Sequence, residues 1–358
     1  MARMVVTHSL FSAFRSCRQA CAWRYLHHLV PIQRDPTLDF GSVVHRALEV
    51  WHRARDLNAA LAVIDAAYPD RGLDEADRAD FHTATALMRT YAARYRVEDF
   101  RVVALEQVLE GAIVNPATGA CSRKLTFGGK VDGIVERGGE HFVLEHKVVA
   151  RLDQGYVEQL WVNPQPVLYA LYVQEQLGLP VRGVIWNLLT KHRLQQGRGE
   201  TEEEYQRRRA ELAARNKSGI SRASRRLPES DEAFQARLAE RYGDPLAFRR
   251  LELILDESRL EAVREQLWKW STEFLEAKRR GNFYPNPSFC LHHGRPCPYL
   301  SLCRSGGDSI VAEGAYRRVP PHEELREPAE VGTAELPNQC LAGATRLPDG
   351  TNEKSVCS

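Results

Sequence analysis

Residues 125–148 read LTFGGKVDGIVERGGEHFVLEHKV. Two β-rich runs flank Gly138-Gly139, and a Gly-Gly pair between alternating apolar residues predicts a tight hairpin. With those glycines as the two-residue loop, Arg137 pairs with Glu140, and the same register sets Asp132 opposite Glu145. Directly opposed side chains have Cβ atoms roughly 5 Å apart, where like charges repel. Lys147 lies two residues beyond Glu145 and shares its face, because side chains alternate along a strand. The plain reading is an exposed hairpin face carrying ordinary charges. The chemical reading is a seat for Mg²⁺ or Mn²⁺ beside a lysine able to touch a scissile phosphate or its attacking water. Phe142, Val143 and Leu144 run straight into the charges, so the carboxylates emerge from a strand end anchored in a core.

Working outward, 358 residues suffice for one large core or two modest ones. A formal charge of +2 excludes a global basic field, so any surface for nucleic acid must be local. The N-terminus MARMVVTHSLFSAF has no sustained apolar run of signal-peptide length, and no stretch reaches the length of a membrane span. A cytoplasmic protein without membrane partners is expected. Eight cysteines in a reducing compartment then argue for metal ligation or buried thiols and against a disulfide framework.

Upstream of the hairpin, residues 7–30 place Leu10, Phe11, Phe14 and Cys17 at helical spacing, with Cys21 one turn further on. Ser42 reads as the N-cap of an amphipathic helix bearing Leu48 and Trp51, which sets His45 in the first turn. There the partial positive charge of the helix end favours a neutral imidazole able to ligate a metal, although such a histidine can equally be a surface residue. Residues 102–114 predict a strand. Downstream, 156–163 read as a connector, and Pro164-Gln165-Pro166 opens a helix on which Gln165 and Tyr169 share a face.

Residues 183–190 predict a buried strand, and 191–250 a charged helical insertion. Between positions 205 and 226, eight Lys or Arg stand against Glu211 alone, which is a solvated face or an arm for a phosphate backbone. From 256 to 280, Leu260, Val263, Leu267, Trp270 and Phe274 mark a helix, with Ser258 and Glu261 as a capping box and Gly281 at its end. Cys290, Cys297 and Cys303 then crowd into a Pro- and Gly-containing stretch, 281–305, and suggest a metal or cluster lacking one ligand. Cys17 is the natural fourth and Cys21 its rival. The tail, 311–358, with Cys340 and Cys357, predicts disorder.

Taken in order, Phe40-Gly41…His45, Val131-Asp132-Gly133, Glu145-His146-Lys147, Gln165-x-x-x-Tyr169 and the terminal cysteines resemble the PD-(D/E)xK nuclease superfamily. The likeness is specifically to RecB-type exonucleases, including CRISPR-associated iron–sulfur exonucleases, AddB-type nucleases and phage-borne members. The resemblance implies an α/β restriction-endonuclease-like core, a mixed central sheet flanked by helices, within a single domain over 1–310. It implies metal ligation by His45, Asp132 and Glu145, helped by the His146 carbonyl. It also implies that Lys147 acts on water and phosphate, while Gln165 and Tyr169 position the strand. Cys17, Cys290, Cys297 and Cys303 would hold a 4Fe–4S cluster, with structural Zn²⁺ as the alternative. Pro166 directly after the motif glutamine and the wide Cys290–Cys297 spacing depart from the pattern, and His292 and His293 offer other ligands.

The function implied is a Mg²⁺- or Mn²⁺-dependent DNA exonuclease acting on single-stranded or frayed ends, in recombination, repair, phage replication or CRISPR adaptation. The alternative is a non-catalytic DNA-binding or structural subunit of a helicase–nuclease assembly. No Walker-type loop is present, so a helicase or recombination motor would be a partner.

Overall fold

The computed structural model describes residues 3–32, 36–69, 75–292, 295–322 and 325. After a short strand β1 (Met4–Val6), the Thr7 hydroxyl accepts the Leu10 N–H and starts α1 (His8–Ser16). Extended backbone at Cys17 breaks what reads as one helix, and α2 (Arg18–Cys21) runs through a π turn into β2 (Leu29–Pro31). Helices α3 (Pro36–Ala54), α4 (Leu57–Ala67) and α5 (Glu75–Arg94) follow. Strands β3 (Arg101–Val114), β4 (Cys121–Arg137) and β5 (Glu140–Val149) precede α6 (Gln154–Trp161), α7 (Gln165–Leu177) and β6 (Val181–Thr190). Next come α8 (Glu202–Arg215), α9 (Asp231–Tyr242), β7 (Phe248–Ile254) and α10 (Glu257–Arg280). The C-terminal segment adds β8 (Leu291–His292), β9 (Arg295–Pro296), α11 (Leu300–Arg304), α12 (Ser309–Ala315) and β10 (Tyr316–Arg318).

The six-stranded sheet runs β1-β4-β5-β6-β7, with β3 along the other edge of β4. β1 pairs β4 and β5 pairs β6 in parallel, and the remaining pairs are antiparallel. The sheet is therefore mixed, and helices cover it as expected. Val184, Trp186 and Leu188 pack into a core shared with α1, α7 and α10. On the other face, Leu189 and Phe248 join α3, α4, α5 and α9 in a second core. That alternation is the period-two signature of a strand buried on both faces.

The hairpin adopts the register read from the sequence. Arg137 pairs with Glu140, and the ladder continues to Gly133 against Leu144. Gly138 and Gly139 have φ of 62° and 84°, the left-handed conformations that a two-residue turn matched to strand twist requires.

Several local expectations are corrected. Helix α3 begins at Pro36, so Ser42 lies inside it and His45 is not in its first turn; the helix-end argument for a neutral His45 fails. Residues 156–163 are largely helical, because Asp153 caps α6. Asp256, not Ser258, caps α10, and the Ser258 hydroxyl donates to it. The stretch 191–250 is not uniform: Phe234, Leu238 and Tyr242 of α9 are buried and β7 is a strand of the sheet, whereas α8 buries no side chain. Of the tail expected to be disordered, α12 and β10 are formed, and β10 pairs with β2. Cys340 and Cys357 lie outside the described residues, as does His293.

Candidate active site

Beyond Gly133 and Leu144 the β4–β5 ladder stops, one residue short of Asp132 and Glu145. On the other edge of β4, Glu106 stands between the partnered pairs Leu105–Gly133 and Gln107–Val131, with φ of 52°. The register is unshifted on either side of Glu106, so this is a local left-handed kink opposite Asp132, which is partnered in neither ladder. The Asp132 carboxylate instead accepts the backbone N–H of His146 through Oδ2 at 2.8 Å. Its Oδ1 lies 3.5 Å from His45 Nδ1 on α3.

Glu145 and Lys147 face the α7 side. Lys147 Nζ donates to Glu145 Oε1 at 2.8 Å and lies 3.5 Å from Gln165 Oε1. Gln165 Nε2 donates in turn to the Tyr169 hydroxyl at 3.0 Å. Pro166, one residue after the glutamine, sits in the first turn of α7, where its missing N–H costs no helical bond. The Tyr169 ring is admitted by Gly129: a Cβ there would stand 2.6 Å from the ring.

Electrostatics follow from burial. Glu145 is 2% exposed, and its Oε2 has no hydrogen-bond partner. Burial, opposed by Lys147 and reinforced by Asp132, pushes its carboxyl up to about 7. Burial acts the same way on Asp132, but the neighbouring His45, His146 and Lys147 outweigh it and hold that carboxyl low. Burial lowers His45, yet the Asp132 charge and hydrogen bond reverse the net shift and raise it. Lys147 is likewise raised, its burial outweighed by Glu145 and Asp132. The site thus holds two unlike carboxyls, one ionised and one poised near neutrality.

The His146 ring borders the His45 side of this centre, edge-on to the His45 ring with ring centres 5.7 Å apart. Its Nδ1 is 2.8 Å from Asn187 Nδ2, and the ring stacks on His52 at 5.4 Å. Asn187 donates to the Tyr91 hydroxyl at 3.0 Å, and Arg250 donates to the same oxygen at 3.1 Å. Arg250 also bonds Glu98, whose side chain is buried. This buried polar set supports β5 from behind, and sequence reading missed it. Asn187 was its one signal, a lone amide within the apolar run GVIWNLLT.

The donor set suits a hard divalent cation: one imidazole and two carboxylates, one of which carries an orphaned buried oxygen. Even so, among the described residues no group of three or more His, Cys, Asp or Glu is assembled closely enough to hold a metal ion. Glu145 is turned to Lys147 instead of to the His45–Asp132 pair.

The cysteines form a second neighbourhood. Cys17 Sγ accepts the Asn286 N–H at 3.3 Å, Cys290 Sγ donates to Asn286 O at 3.8 Å, and Cys297 N–H donates to Cys290 O at 2.8 Å. Burial raises the Cys297 thiol, and the charges of Cys17, Cys303 and Cys290 add to it. Cys21 behaves differently. It is fully buried in the core, donates to Leu10 O at 3.7 Å, and is pushed up to about 12 by burial.

The family model of the PD-(D/E)XK nuclease superfamily matches residues 5–304. No curated protein matches the chain. A crystal structure from Eubacterium rectale, named as a candidate exonuclease, is similar at 11% identity; the match covers 86% of this chain and 92% of that one, with a TM-score of 0.44.

Proposed function

This chain belongs to the PD-(D/E)XK nuclease superfamily, and on that premise we propose that it is a Mg²⁺- or Mn²⁺-dependent DNA exonuclease acting on single-stranded or frayed ends. The observation that carries the reading is the splay of β4 from β5. There Asp132 lies beside His45, and Glu145 pairs with Lys147, with Gln165 and Tyr169 joined to the lysine by hydrogen bonds. His45, Asp132 and Glu145, with the main chain of His146, would hold the cation. When bound, it would supply positive charge for the phosphate oxygens and polarise the attacking water.

The chain's own groups account for the rest. Hydrolysis forms a bond from water oxygen to phosphorus and breaks the bond to the leaving sugar oxygen, so negative charge grows on the phosphate. The Lys147 ammonium, held by Glu145 and Gln165, is placed to stabilise that charge and to orient the water. Its raised pKa keeps it a cation, so its role is donation and not proton abstraction. The Tyr169 hydroxyl fixes the Gln165 amide, and both line the approach to the lysine as positioning groups for the strand. A helicase or recombination partner belongs to the same proposal and would deliver the end.

The proposal extends to the cysteines. Cys17, Cys290, Cys297 and Cys303 would bind a 4Fe–4S cluster, with one Zn²⁺ as the alternative. The thiols of Cys297 and Cys303, each raised by burial and by the charges of Cys17 and Cys290, support this reading, and the core position of Cys21 favours Cys17 as the fourth ligand. The decisive assay incubates pure protein with 5′- and 3′-labelled single- and double-stranded DNA, with and without Mn²⁺. Metal-dependent release of short products from ends supports the function; intact substrate under every condition overturns it.

A further inference from the structure

Arg15 near the end of α1 and Arg18 at the start of α2 hold no ion pair among the described residues, and both lie on aromatic rings. The Arg15 guanidinium is 4.7 Å from the Trp270 ring centre; that of Arg18 is 4.8 Å from Phe14 and 5.5 Å from Tyr284. Tyr284 is itself 52% exposed. Together with Asn286 and Glu273 they line a groove of about 520 Å³ beside Cys17. Glu273 is the groove's only carboxylate among the described residues, so the arginines leave it net cationic.

Helix α1 runs from Arg15 in this groove back to His8. His8, the first residue of that helix, lies 6.4 Å from Trp270 between ring centres, and Trp270 is the ring on which Arg15 rests. Seven residues separate His8 from Arg15, roughly 10 Å of helix. Burial, Lys147 and Arg15 together bring the His8 imidazole down to about 4, so His8 adds no positive charge of its own at neutral pH.

We propose that Arg15, Arg18 and Tyr284 form a binding track for single-stranded nucleic acid, the guanidiniums taking phosphates and the tyrosine stacking a base next to the strand end held at Lys147. Guanidiniums spread over aromatic faces, with an exposed ring between them, are the combination that grips a single strand without reading its sequence. A duplex offers its phosphates but not its base faces, so the tyrosine selects for single strands. The track rests on the nuclease reading for its direction, but not for its existence.

The test separates the two. A fluorescent single-stranded oligonucleotide is titrated in metal-free buffer, where no cleavage can occur, against wild type, Arg15→Gln/Arg18→Gln, Tyr284→Ala and the control Arg123→Gln/Lys124→Gln. Thermal melting checks that each variant is folded. The arginine pair should weaken binding about tenfold and reduce the log–log salt slope by roughly 1.4, at ~0.7 per phosphate contact on a single strand. Tyr284→Ala should weaken single-strand binding about fivefold with the slope unchanged, and Tyr284→Phe should restore it. Hydrolysis of bis(p-nitrophenyl) phosphate, too small to reach the track, should be unchanged in all three track variants. Unaltered affinity and slope in the arginine pair, or an equal loss in the control, would overturn the track. Absence of hydrolysis in wild type, with the binding losses present, would overturn the catalytic reading and leave the track standing.

Discussion

Lys147 Nζ donates to Glu145 Oε1 across 2.8 Å, two residues apart on one strand. The lysine thereby occupies the carboxylate that a cation needs, yet it is also the only ammonium placed at the centre among the described residues. Lys147→Ala should lower turnover by about 10²–10³-fold, the usual loss for one charge-stabilising donor. The Kd for Mn²⁺ should change by less than about fivefold. Single-turnover cleavage and calorimetric metal titration check the pair of effects. A large loss of metal affinity with normal turnover at saturating metal would assign the lysine to ligand support.

The two carboxylates should part company in stability. Asp132→Ala and Glu145→Gln should both abolish cleavage. Asp132 satisfies the buried His146 N–H, so its truncation should cost about 1–3 kcal/mol, the usual consequence of orphaning a buried donor. Glu145 already carries an unpartnered oxygen, and Glu145→Gln should leave the metal-free protein within about 1 kcal/mol of wild type. Urea denaturation without metal measures both. Equal destabilisation would contradict the unequal roles.

Metal binding should depend on pH through Glu145. Its folded-state pKa is raised from 4.5 to about 7, so the metal-free protein holds the proton more tightly than the unfolded chain. The sign is that this group stabilises fully below pH 4.5, and its contribution is lost as pH rises to about 7. A cation requires ionised Glu145 and neutral His45, both of whose pKa values are raised, so affinity should rise by at least about tenfold per unit up to pH 7. The melting shift produced by Mn²⁺ at pH 5.5, 6.5, 7.5 and 8.5 reads this out. A shift independent of pH would remove Glu145 from the ligand set.

Among the cysteines, anaerobically purified protein should be brown, with absorption near 400 nm. Cys17→Ser, Cys290→Ser, Cys297→Ser and Cys303→Ser should each bleach it. Cys21→Ser should keep the colour and lose only the stability of one core thiol. Colour lost with Cys21→Ser and kept with Cys17→Ser would reverse the assignment, and colourless protein with one zinc would replace the cluster.

For the arm, Arg207→Ala and Arg209→Ala should each lower the salt slope of duplex binding by about 0.9. Arg208 differs, because it pairs with Glu200 at 2.5 Å and bonds the Ser224 carbonyl. Arg208→Ala should loosen the arm, read as faster proteolysis, with a smaller change in slope. Three equal slope changes would mean that the Glu200 pair does not hold in solution.

The hairpin was legible because its information is local: a Gly-Gly turn fixes register, and period two fixes faces. The long helix after Asp256 was legible for the same reason. What escaped depended on distant partners. The start of α3 preceded its apparent cap, since tertiary packing extends helices past local stop signals. Phe234, Leu238 and Tyr242 were hidden in a charge-rich stretch, because three apolar residues on one helical stripe suffice to bury it against α5. The helix break at Cys17 also escaped, because helical periodicity runs through it and cannot foresee one extended residue.

The pairing of β10 with β2, and of the Asn286 N–H with Cys17, ties the first thirty or so residues to the last described ones. On a ribosome this has a temporal meaning. Strand β2 is synthesised well before its partner strand Tyr316–Arg318, so at roughly 5–20 residues per second it waits on the order of tens of seconds. During that wait Leu29, whose strand partner is Arg318, lacks the cover of Tyr299, Leu302 and Tyr316. The newborn chain therefore carries an uncovered apolar patch at β2 until α11 and β10 have been made.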